Sequence, residues 1–190
     1  ALLIGLTLPI APTQILWVNM LGSVLLAITL ACEPPVPQVI KRPPRNPSQP
    51  ILSSFLIWRI VLVSFIFAAG IFGQFELALL MERDLEAART MAVNTLIAME
   101  VFYLFSMRYG YGTSVYWRGV VGTKPVLISL ALVTIAQLLF IYAPFMQNIF
   151  DSRTLKITDL LLVFVTGAAV LLIIEVEKQI RFALKRQQEG

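Results

Sequence analysis

Apolar residues fall in long continuous runs along this chain, and polar residues gather between the runs instead of alternating with them. No charge occurs from Ala1 to Cys32. Residues 1-8 read as the end of a helix, which Pro9 and Pro12 break into a turn at a membrane face. Residues 14-32 then form an uncharged helix about one bilayer thick. Apolar stretches at 55-81, 90-107, 125-144 and 159-175 predict four further spans. Residues 33-54 carry Pro34, Pro35, Pro37, Pro43, Pro44, Pro47 and Pro50. That spacing forbids a regular helix and favours stiff, extended backbone. Residues 145–158 read as a connection, and 176-190 as a polar tail that continues the last helix out of the membrane.

Continuous runs favour helices over a barrel, whose strands would alternate. In lipid every backbone polar group has to be bonded internally, which a helix achieves within itself. The expected fold is an all-α membrane protein. It is a polytopic helical bundle of five full transmembrane helices plus one partial N-terminal helix, forming a single membrane domain.

Composition agrees. The chain is 58% hydrophobic and 14% charged, with mean hydropathy +0.81; a soluble domain carries about 25% charged residues. The net charge of +4 comes from basic residues in short loops. No interleaved basic and aromatic face is present, so nucleic acid is not an expected partner. Lys41, Arg42, Arg45, Arg108, Arg118, Lys124, Lys178, Arg181, Lys185 and Arg186 fall on one side of the membrane. Arg83, Arg89, Arg153 and Lys156 fall on the other. The positive-inside rule puts the Pro-rich loop and the C-terminus in the cytoplasm, and the expected location is the plasma membrane. Histidine is absent and Cys32 is the only cysteine. These absences remove His-based metal sites, Ser-His-Asp and Cys-His chemistry and an internal disulfide. The chain opens with Ala1 inside an apolar run and has no signal-peptide form. The expectation is the C-terminal piece of a longer protein.

Polar groups inside spans carry the candidate chemistry. Asn19 and Ser23 lie four residues apart on one face of the first full span, with Gly22 between them. An amide oxygen, a hydroxyl and carbonyls freed where the helix unwinds at Gly22 are hard-oxygen ligands suited to small cations. Helix-to-helix hydrogen bonding is the structural alternative for Asn19. Glu100 lies midway between Arg89 and Arg108. Ionised there, a carboxylate costs roughly 2.5–3.5 kcal/mol, so it needs a proton, a partner or an ion. Asn94 is about 240° away around the helix and reads as a packing contact. Gln74, Glu76 and Gln137 are weaker candidates. Asp159 suits capping of the last helix, and Arg181, Lys185 and Arg186 suit water or anionic head groups.

Several segments together resemble the C-terminal membrane domain of type II P-type cation ATPases, the calcium-pump group. They are Pro12-Thr13-Gln14-Ile15-Leu16-Trp17-Val18-Asn19, Glu33-Pro34-Pro35, Lys41-Arg42-Pro43-Pro44-Arg45, Gln49-Pro50-Ile51-Leu52-Ser53 and Trp58-Arg59. The resemblance covers essentially the whole chain. It implies cation ligands at Asn19 and at Glu100, the latter within Thr90-Met91-Ala92…Met99-Glu100. It implies a coupling role for the loop Glu33–Ser54, with Glu33, Lys41, Arg42 and Arg45. The family's ligands at the third and fourth positions after the Asn are Thr and Asp; here they are Gly22 and Ser23.

The resemblance implies a transport domain of an ATP-driven cation pump, forming part of the ion path without catalytic domains of its own. No cofactor is expected in this chain, and ATP and magnesium are implied for the full-length protein. The implied partners are the lipid bilayer, the transported cation, the preceding helices, and actuator, phosphorylation and nucleotide domains of the same protein. The alternative is a stand-alone structural or regulatory membrane protein.

Overall fold

The computed structural model describes residues 7–32, 54–108 and 124–188. We number its helices α1 Pro12–Val18, α2 Leu26–Ala31, α3 Ser54–Leu80, α4 Leu85–Arg108, α5 Lys124–Tyr142, α6 Pro144–Phe150 and α7 Ile157–Gln188. A π-helical segment, Asn19–Leu25, joins α1 to α2, so Pro12–Ala31 is one interrupted span. Five helices are long and apolar enough to cross a membrane, and no strand occurs among the described residues. This is an all-α membrane domain. The loop residues Glu33, Lys41, Arg42 and Arg45, the connection 109–123 and most of the expected helix end at 1-8 lie outside the described residues. Thr7 and Leu8 are described and are not helical.

Helix α4 is the centre. Its residues Ala88, Met91, Ala92, Val93 and Thr95 are wholly buried, and α3 and α7 both pack against it. Small residues permit the close approach. A Cβ added at Gly167 of α7 would lie 2.6 Å from Phe102 Cδ2 and 3.3 Å from the Ala98 carbonyl carbon. In lipid, such close packing and buried hydrogen bonds hold helices together where hydrophobic drive is weak. The interrupted first span packs on α4 and α5, and α6 folds back from α5 onto α1.

Two features differ from the expected boundaries. Helix α4 starts at Leu85, ahead of residue 90, because its first-turn polar groups find partners. Glu86 pairs with Arg153, and Arg89 Nε donates to Leu8 O at 3.2 Å. Residues 144–150 form α6 within the expected connection, with Pro144 at its first turn and Asp151, at φ 50°, ending it in the left-handed region. Helix α7 continues through the polar tail to Gln188. At 32 residues it is about 48 Å long, more than a bilayer core of about 30 Å needs.

At the end where α3 stops and α4 and α7 begin, a polar cleft of about 340 Å³ lies between the connections. Arg83 Nη2 meets Asp159 Oδ1 at 2.8 Å beside it. The other oxygen, Asp159 Oδ2, accepts from Lys156 N at 3.1 Å, so Asp159 also caps α7. Asp159 is 2% exposed, so removing it strands Arg83 and an N-terminal amide together. Asp159→Ala is expected to destabilise the detergent-solubilised protein by about 2 kcal/mol. Thermal unfolding measures it, and an unchanged midpoint would refute the dual role.

Candidate functional site

The start of the first span is clamped from two sides. Gln14 Nε2 donates to Phe150 O at 3.0 Å, and Gln14 Oε1 accepts from Ala11 N at 3.1 Å, closing a capping turn. The Trp17 ring stacks on Phe140 at 5.6 Å with 13° between planes and tilts against Phe150 at 5.2 Å. Its indole N–H donates to Gln137 Oε1 at 2.9 Å. This amide–indole–aromatic cluster fixes α1 on α5 and α6.

Just past the clamp the helix widens. Asn19 is the first residue of the π segment, and Gly22 and Ser23 lie inside it. In a π-helix the backbone bonds from i to i+5, an arrangement that is rare and concentrated at functional sites. The side chain of Ser23 lies outside the described residues. Asn19 is exposed on the surface of this chain, while Gly22 is buried.

Glu100 comes to this segment from α4. It stands fifteen residues into α4 from Leu85 and eight from Arg108, about 22 Å and about 12 Å along the axis. Its carboxylate occupies the space beside Gly22. A Cβ built on Gly22 would overlap Glu100 Oε2 and lie 2.9 Å from Cδ and 3.3 Å from Oε1. Oε2 is fully buried and has no hydrogen-bond partner among the described residues. Three other polar side chains of α4 bond within their own helix. Thr90 Oγ1 donates to Glu86 O, Asn94 Nδ2 to Thr90 O and Thr95 Oγ1 to Met91 O, each at 2.8 Å. Glu100 stands apart from them as an acceptor at membrane depth with an unfilled oxygen.

The structure thus brings Glu100 to the segment that contains Asn19, Gly22 and Ser23. Asn94 bonds its own helix, and Gln74 Oε1 accepts from Thr166 Oγ1 at 3.2 Å. Among the described residues no three of Asp, Glu and Cys form a metal-holding group. Any charge on a cation at this segment is therefore balanced, within the described residues, by one carboxylate.

Sequence reasoning did not find a second buried polar pair. Lys178 Nζ lies 3.4 Å from Glu175 Oε2 and donates to Ser106 O at 3.0 Å. Glu175 is 6% and Lys178 5% exposed, so the start of the polar tail is packed against α4. Their spacing of three was the available signal. Arg181 pairs with Glu177 at 2.6 Å one turn further on.

A sequence model of the family described as "Cation transporting ATPase, C-terminus" matches residues 7–180. The chain is similar to the probable cation-transporting ATPase F of Mycobacterium tuberculosis, 35% identical over 92% of this chain and 19% of that protein. It is 36% identical to the cation-transporting ATPase pma1 of Synechocystis sp. over 80% of this chain and 17% of that protein. It is 30% identical to a calcium-transporting ATPase of Bacillus subtilis over 86% of this chain and 18% of that protein. The chain thus spans about a fifth of the length of these relatives.

Proposed function

Because the chain belongs to the C-terminal membrane-domain family of cation-transporting ATPases, in the type II P-type group, we propose that it forms part of the ion path of an ATP-driven cation pump. Glu100 supplies the charge, and Asn19, Ser23 and carbonyls of the π segment supply neutral oxygens. The observation that carries this reading is the buried, unpartnered Glu100 Oε2 against the π segment at Gly22. A carboxylate so placed is stable only when it takes up a proton or a cation. It releases its load when the segment moves and water reaches it. The clamp at Gln14 and Trp17 holds one end of the span still, so that movement concentrates beyond Val18.

In the whole pump, ATP hydrolysis with magnesium would drive this cycle. No residue of this chain is assigned to either. The Pro-rich loop, with Glu33, Lys41, Arg42 and Arg45, would link the span to the soluble domains. We place that loop and the C-terminus on the cytoplasmic side of a plasma membrane, from the excess of Lys and Arg there.

The test is ATPase activity of the full-length protein across a panel of mono- and divalent cations and of pH values. One cation, or the proton, is expected to activate it. Asn19→Ala is expected to raise the half-activating concentration of that ion about tenfold, the equivalent of one lost ligand at about 1.4 kcal/mol. Activity indifferent to every cation and to pH would rule the reading out.

A further inference from the structure

We propose that Gly22 is the positioning residue for Glu100, the bare backbone that lets its carboxylate seat inside the π segment. This inference rests on the ion-path reading and adds to it a determinant on the opposite helix.

The argument is one of space. The position beside Gly22 is filled by both carboxylate oxygens and the carboxyl carbon of Glu100, and Oε2 lies where a Cβ would be. Any side chain at residue 22 therefore competes with the carboxylate for the same volume. The glycine has no other visible duty. Its φ lies outside the positive range that would demand a glycine. In a helical position glycine is ordinarily the less stable choice than alanine. Its cost here is offset by what it admits. Oxygens of the π segment and the carboxylate then converge from opposite helices on one small cation, and the ligand distance is set by the missing methyl group.

Gly22→Ala should push the carboxylate back along its flexible side chain without disturbing the backbone. In the full-length protein we expect the half-activating cation concentration to rise at least tenfold while the maximal rate stays within about twofold. Thermal stability should hold or rise. The second arm is the Glu100→Asp background, in which the carboxylate is already withdrawn by one methylene. There Gly22→Ala should add less than threefold, because the group it displaces has gone. An equal factor in both backgrounds would overturn the proposal and leave Gly22 a general packing residue. So would an unchanged affinity in Gly22→Ala alone. Glu100→Gln separates the two levels. If it impairs activation while Gly22→Ala does not, only the positioning role falls. If Glu100→Gln itself leaves cation activation at the wild-type level, the ion-path reading falls with it.

Discussion

Glu100→Gln in the full-length protein is expected to weaken cation activation about 100-fold, or to abolish it within the soluble range of the cation. The change keeps the volume beside Gly22 and removes only the charge. An amide at this place offers one neutral oxygen where the carboxylate offers an anionic one. Charge-assisted contacts are worth roughly 1.5–3 kcal/mol, and 100-fold corresponds to about 2.8 kcal/mol. Asn94→Ala is the matched control on the same helix. Its amide donates to Thr90 O at 2.8 Å and, among the described residues, bonds to no other helix. Its removal should cost about 1 kcal/mol of stability or less and leave cation affinity near wild type. Cation-dependent ATPase titration of both variants decides the matter. Equal, near-wild-type behaviour would take Glu100 out of the ion path.

Trp17→Ala is expected to lower stability by about 4 kcal/mol, the largest effect of any single substitution in the first span. The indole is 5% exposed and stacks on Phe140 while tilting against Phe150. Truncating a buried Trp costs about 3–5 kcal/mol, largely through the cavity left behind. The cavity term survives in lipid, where the water-transfer term is small, because the lost contacts are protein contacts. Gln137 would lose its donor as well, and its Nε2 already lacks a partner. Trp17→Phe keeps most of the stacking and should cost about 1–2 kcal/mol. Thermal unfolding in detergent separates the two variants. Identical midpoints for wild type and Trp17→Ala would show that the clamp is not structural.

Much of this fold is legible in the chain because lipid imposes a simple rule. Each helix has to be long, apolar and internally bonded, so uncharged runs such as Gln14–Cys32 announce themselves. Glu100 was legible for the same reason, as a charge where charge is expensive. Gly22 stood out as the weak place of the first span, and it lies within the π segment. That Glu100 fills the space beside it was not legible, because the docking of α4 on the first span joins residues far apart in sequence. The Trp17–Gln137 bond, whose ends are 120 positions apart in sequence, and the Arg83–Asp159 pair escape local patterns in the same way. Short α6 was missed because seven residues are too few to show a period. The packing of Lys178 was not legible because composition cannot say which face of an emerging helix stays packed; here that face rests on Ser106.

The central claim is that the Glu100 carboxyl beside Gly22 meets the transported ion. The most direct measurement is carbodiimide labelling of the full-length protein in membranes, followed by mass-spectrometric mapping of the adduct. A protonated carboxyl in an apolar setting adds to a hydrophobic carbodiimide, its proton going to nitrogen and its oxygen to the central carbon. The account predicts an adduct on Glu100 that disappears, with concentration dependence matching ATPase activation, when the activating metal cation is added, or when raised pH removes the proton if the proton is the ion. An adduct on Glu100 that forms equally with and without that ion, or no adduct there while other carboxyls react, would contradict it.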